Sequence, residues 1–192
     1  HGNLTQLGWA YFGLSKVHYR QGQCAQALEM LGRGLSAVSE DPGARVTELA
    51  LITLRGCVRA RMGDVAGAAA DIATARARVD PKAAPAAFLQ ADAYGFFADA
   101  CFQILRNGSD AQILRSAEMA CAALKRAARV FPAAKPASLL WNGVLQATRG
   151  ASARAERSLR QALADAEQMS LVFERQRAAE EISRLSGTPA GR

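Results

Sequence analysis

Residues 139–169 read LLWNGVLQATRGASARAERSLRQALADAEQM, and the reading of this stretch decides the fold. Two helical patterns meet at Gly150. Gly143 stands seven residues before that glycine, Ala155 five after it, Leu159 nine after it and Ala162 twelve after it. Small residues at those places let two antiparallel helices approach closely, and the one larger apolar side chain fills the space between them. The same spacing laid on Gly22 finds Ser15, Ala27, Leu31 and Gly34; laid on Gly63 it finds Gly56, Ala68, Ile72 and Ala75. A helix–turn–helix unit therefore recurs along the chain.

Punctuation along the chain alternates in kind. Gly22, Gly63, Gly108 and Gly150 mark short turns, and between them lie breaks at Pro42, at Pro81 with Pro85, and at Pro132 with Pro136. Proline is excluded from helix interiors, so the prolines separate units and the glycines close the hairpins inside them. The pattern predicts nine helices, over about 4–21, 24–38, 45–62, 64–79, 86–105, 110–130, 137–149, 151–168 and 171–185. The third unit departs from the spacing. Counted from Gly108, the place of the first small residue falls on Ile113, so the turn Asn107-Gly108-Ser109-Asp110 is expected to carry an insertion.

Composition agrees with an all-α protein. Half of the 192 residues are apolar, only 6% are aromatic, and alanine is abundant; alanine has the best intrinsic helix propensity and loses no side-chain entropy. No apolar run approaches the roughly 20 residues of a membrane helix, and no membrane partner is expected. The net charge of +7 raises the question of nucleic acid. Its cations, however, alternate with acids, as in the i,i+4 pairs Glu156 with Arg160 and Glu180 with Arg184. They read as solvated helix faces, and nucleic acid is not the expected partner. Cys24, Cys57, Cys101 and Cys121 form no CxxC pair. A reducing, cytoplasmic setting is expected, without a disulfide framework. The start carries no signal-peptide pattern, so residues 1–3 read as a disordered cloning remnant, 4–185 as the domain and 186–192 as a flexible tail.

A period near 40 with two helices per unit is the signature of a helical solenoid. Gly143, Gly150, Ala155 and Ala162, and again Gly56, Gly63, Ala68 and Ala75, resemble the small-residue positions of tetratricopeptide (TPR) repeats. The spacing exceeds the 34 residues of that family and is similar to the longer repeats of large bacterial signalling ATPases. The segment VFPAAKPASLLWNGVLQATRG with the following ARAERSLRQALADAEQMSLVFERQRAAEEISRL resembles the C-terminal part of STAND-type ATPases with cyclase, kinase or DNA-binding output domains. That family usually has Gly-Met-Pro before the last helix, where this chain has Gln168-Met169-Ser170. The resemblance implies a right-handed superhelix (α-solenoid) of four TPR-like hairpins plus a C-terminal capping helix. It also implies a non-catalytic, protein-interaction or regulatory role, with ATP-binding and output domains elsewhere in the parent chain.

No catalytic constellation stands out, and no cofactor or metal is expected. Gly32-Arg33-Gly34-Leu35-Ser36-Ala37 imitates a dinucleotide fingerprint, but a helical pattern precedes it where the chemistry needs a strand. An enzyme built on Cys24 or His18 is an alternative without a base or acid partner identifiable by spacing. Arg20, Arg61, Arg106 and Arg149 sit just before turn glycines, where the helix macrodipole favours cations. In a TPR-like hairpin the first helix lines the concave groove. The residues expected there are Trp9, Phe12, Lys16, Tyr19 and Arg20, then Phe102, then Leu140 and Val144. A peptide or small ligand in that groove is the alternative function. The first helix also carries two apolar stripes, Leu4, Leu7, Tyr11 and Leu14 on one side and Trp9, Phe12 and Tyr19 on another. One must pack on the second helix, so the other needs a preceding repeat, a groove ligand or a second copy; self-association through the first helix is expected, weakened by Trp9→Ala together with Phe12→Ala.

Overall fold

The computed structural model describes residues 4–39, 41–80, 83 and 85–187. Among them the regular structure is helical throughout: α1 (Leu4–Arg20), α2 (Cys24–Val38), α3 (Arg45–Arg61), α4 (Val65–Arg78), α5 (Phe88–Leu105), α6 (Ala111–Val130), α7 (Lys135–Thr148), α8 (Ser152–Gln168) and α9 (Val172–Gly187). The protein is all-α and repeat-like. It divides into two compact units, His1–Ala123 and Leu124–Arg192, with the boundary inside α6. In the first unit α1 packs on α2, both meet α3, and α3 packs on α4 and α5. In the second, α8 packs on α7 and α9.

Three turns share one geometry. Gly22, Gly63 and Gly150 have φ of +78°, +84° and +75°, the left-handed conformation that glycine adopts without a steric cost. In each turn the residue after the glycine donates its N–H to the carbonyl four residues before the glycine: Gln23 to His18, Asp64 to Arg59 and Ala151 to Gln146, each at 2.9 Å. The helices so joined pack through the repeated small positions. Ala27, Leu31, Ala68, Ile72, Ala75, Ala155, Leu159 and Ala162 are all buried. A Cβ added at Gly143 would lie 2.7 Å from Leu159 Cγ, so the α7–α8 approach depends on that glycine.

The α5–α6 connection differs. Five residues separate these helices, against three at each of the other turns, and Gly108 is not in the left-handed region. Asp110 caps α6 by accepting from the N–H groups of Gln112 and Ile113. The insertion expected here is a turn two residues longer. The core positions survive it with their sizes exchanged: Cys101, Ile113, Ala117 and Ala120 are buried, the large side chain now coming first.

Two expectations on the boundaries change. Pro136 does not end a break; it lies in the first turn of α7, which starts at Lys135 after a 3-10 turn at Pro132–Ala134. The first N–H groups of a helix have no intrahelical partner, so proline loses nothing there. At the C-terminus α9 continues through Ser186 and Gly187, beyond its expected end at Leu185. The rest of the expected tail, residues 1–3 and Pro81 lie outside the described residues.

Candidate functional site on the first helix

The expected groove residues of α1 lie against α3 and α5. Phe12 and Tyr19 are buried, and each meets the Phe96 ring edge to face, at 6.1 and 6.0 Å between centroids. The Tyr19 hydroxyl donates to Asp99 Oδ2 at 3.0 Å. Gln103 Nε2 donates to Tyr19 Oη and to Asp99 Oδ1, both at 3.1 Å. Asp99 is 1% exposed, so these bonds replace much of the hydration that a buried carboxylate forfeits. The Arg61 guanidinium sits 5.4 Å from the Tyr19 ring centroid and donates to the Tyr19 carbonyl at 3.2 Å. That cation at the end of α3 therefore does more than complement a helix dipole.

Nearer the surface, Lys16 Nζ and Asp92 Oδ2 form an ion pair at 2.6 Å, each side chain 22% exposed. Trp9 stays half exposed while its indole N–H donates to Thr47 Oγ1 at 2.8 Å. Arg20 is exposed. Phe102 is buried, but it lies six residues beyond Phe96, about 120° round α5. Leu140 and Val144 are buried on α7, in the second unit. The structure thus gathers Phe12, Lys16 and Tyr19 into one cluster with α5. Within the first unit Phe12 and Tyr19 of α1 are covered by side chains of α5.

Sequence reasoning missed the α5 half of this cluster. Asp92, Phe96, Asp99 and Gln103 recur at i, i+4, i+7 and i+11, one helical face. That spacing was the available signal. It reads as polar surface until another helix is known to cover it.

The remaining candidates have structural surroundings. His18 Nδ1 lies 2.6 Å from Gln23 Oε1 across the first turn. Residues Gly32 to Ala37 are interior to α2, and a Cβ at Gly34 would stand 2.9 Å from Tyr11 Cβ and Leu51 Cδ2. Gly34 serves helix packing, whereas Gly32 is exposed with open space beside it. The four cysteines are free, with Cys24 partly accessible and the others buried. Burial pushes the Cys101 thiol well above its ordinary range, and nearby Cys121 adds to the shift. The Cys57 thiol donates to the Phe96 carbonyl. Among the described residues no three His, Cys, Asp or Glu side chains are grouped so as to hold a metal ion, and no helix is long and apolar enough to cross a membrane. No family model, curated protein or solved structure matches the chain.

A set of exposed apolar side chains lies on the other side of α1. Leu4, Leu7, Leu14 and Val17 are 42–51% exposed. Of the two stripes in this helix, the one with Trp9, Phe12 and Tyr19 buries Phe12 and Tyr19 and leaves Trp9 half exposed, so Phe12 is covered within the chain and is not available for the self-association expected through it. Leu4, Leu7 and Leu14 face solvent, and the Tyr11 between them is half-buried.

Proposed function

We propose that this chain is a non-catalytic protein-interaction domain. In this reading it is a right-handed, TPR-like superhelix of four helical hairpins with a capping ninth helix, and it regulates or helps assemble a larger signalling ATPase. The observation that carries the reading is the outer face of α1, where four large aliphatic side chains are about half exposed. Contiguous exposed apolar surface of this kind marks interaction sites. The burial of Phe12 and Tyr19 against α5 favours assembly through this outer face over a peptide or small ligand held on the opposite side of α1. Four free cysteines suit a reducing compartment such as the cytoplasm.

The test places a photo-crosslinking amino acid at Leu14 and, as a control, at Gln26, an exposed polar position on α2. Protein adducts at residue 14 and not at residue 26 are expected in the producing cell. Equal labelling at both positions, or none at either, overturns the reading.

A further inference from the structure

The exposed face of α1 stands where the neighbouring hairpins carry something else. Counted from their turn glycines, Leu7 corresponds to Glu48 of α3 and Lys135 of α7, and Leu14 to Arg55 and Asn142. Ala10 and Val17 correspond to Leu51 and Val58, both fully buried in α3, where Leu51 packs at Gly34 of α2. This side of such a helix is thus one that takes another helix. In α1 it has gained two leucines in place of polar residues.

The apolar positions on this face are arranged as a palindrome. From residue 4 to residue 17 the chain reads LTQLGWAYFGLSKV, with Leu4, Leu7 and Ala10 mirrored by Val17, Leu14 and Tyr11 about a point between residues 10 and 11. When two identical helices pair antiparallel about a two-fold axis, residues whose numbers share one sum oppose each other. An axis at that point sets Leu7 against Leu14 of the other copy, with Leu4 and Val17 at the two edges of the contact. At the centre the small, exposed Ala10 stands against the half-buried Tyr11 of the other copy, so small meets large there. Charge does not oppose the contact. The only formal charges of α1 are Lys16, which is held by Asp92, and Arg20, which lies beyond the palindrome. The excess of basic residues also lies elsewhere. Residues 1–123 carry twelve Lys and Arg against eleven Asp and Glu, whereas 124–192 carry twelve against six.

We infer that the outer face of α1 binds a second copy of this chain, as an antiparallel α1–α1 pair about a two-fold axis at residues 10 and 11. The inference rests on the reading of that face as an interaction surface and names its occupant. The stripe is about 20 Å long, one short helix face rather than the roughly 20–30 residues a side of a standard stable interface. The pair therefore forms and dissociates with concentration.

Sedimentation equilibrium from micromolar to several hundred micromolar protein tests it. The wild type is expected to pass from monomer to dimer over that range. Leu7→Glu with Leu14→Glu should stay monomeric with unchanged helicity, since both side chains are half exposed. The register has its own test. Leu7→Lys alone and Leu14→Glu alone should each weaken the dimer, and the two together should recover it, because antiparallel pairing sets each lysine against a glutamate. A double variant no better than the singles overturns the antiparallel pair. A strictly monomeric wild type, or a dimer untouched by the two glutamates, overturns the second copy. Binding of an environment-sensitive apolar dye separates that failure from failure of the surface itself. If a monomeric wild type takes up dye and the Leu7→Glu, Leu14→Glu variant does not, the surface stands and its occupant is not a second copy. Equal uptake by both removes the surface as well.

Discussion

The α3–α4 and α7–α8 hairpins have the same turn and the same small residues at the crossing, yet different polar contacts beside it. Four residues before the turn glycine and eight after it, α3–α4 places Arg59 and Asp71, an ion pair at 3.0 Å; Arg55 adds a second at 2.6 Å. The same two positions in α7–α8 are Gln146 and Ser158, 3.5 Å apart and neutral. At the open end, fifteen residues either side of the glycine, Glu48 meets Arg78 at 2.7 Å in one hairpin and Lys135 meets Asp165 at 2.9 Å in the other. The polarity of that pair is reversed. Even the first turn of the second helix differs, capped by the Asp64 side chain in α4 and without a side-chain cap at Ala151 in α8. Geometry at the crossing comes from residue size, which is alike in the two hairpins. Polar contacts beside it need only some complementary pair, so their chemistry is free to vary.

The largest effects should be shared by both hairpins. Ile72→Ala and Leu159→Ala each remove a buried side chain from the centre of a crossing and should each cost about 2–5 kcal/mol. Thermal and urea unfolding followed by circular dichroism would measure both. A loss confined to one of them breaks the equivalence of the two crossings.

A difference should appear at the buried ion pair. Asp71→Ala leaves Arg55 and Arg59 facing a site without a carboxylate, and should lower stability by about 2–3 kcal/mol. Ser158→Ala at the matching position should cost less than about 0.5 kcal/mol, because it loses one long contact. Comparable losses in urea unfolding would show that α7–α8 depends on its polar pair as much as α3–α4 does.

Glycine to alanine sharpens the contrast in the other direction. At Gly143 the new Cβ would collide with Leu159, and a net cost of about 1–2 kcal/mol is expected. At Gly56 the nearest atom, Asp71 Cβ, is 3.4 Å away. There the gain in helix propensity, up to about 1 kcal/mol, should make the change neutral or stabilising. Melting temperatures of the two variants moving the same way would refute the size argument.

The smallest effect concerns the reversed ion pair. Hydrogen bonding to Lys135 holds the Asp165 carboxyl below its ordinary value. A lowered folded-state pKa adds stability above the unfolded carboxyl range, and that stability is lost as pH falls through the folded value. Lys135 is half exposed, so the contribution stays below about 1 kcal/mol. Urea titrations between neutral pH and the acid side of the carboxyl range should show a shallower decline for Asp165→Asn than for the wild type. Parallel declines would assign the acid sensitivity to other carboxylates.

Much of this architecture can be read from the sequence because its determinants are local. A glycine with small residues at fixed distances specifies a turn and a crossing within about twenty residues of chain, so the three like turns and the order of the helices follow from spacing. The candidate site was less legible. Trp9, Phe12, Lys16 and Tyr19 share one edge of α1 by periodicity, but their partners Thr47, Phe96, Asp92 and Asp99 are 38 to 84 residues away. Periodicity within one helix carries no information about which remote helix will cover it. It equally leaves open which of two apolar stripes is buried. Tertiary packing decided that Phe12 and Tyr19 go inward and Leu7 and Leu14 remain outside. The aromatic rings found Phe96 and a buried carboxylate to bond, and one helix cannot turn both of its apolar sides toward the same core.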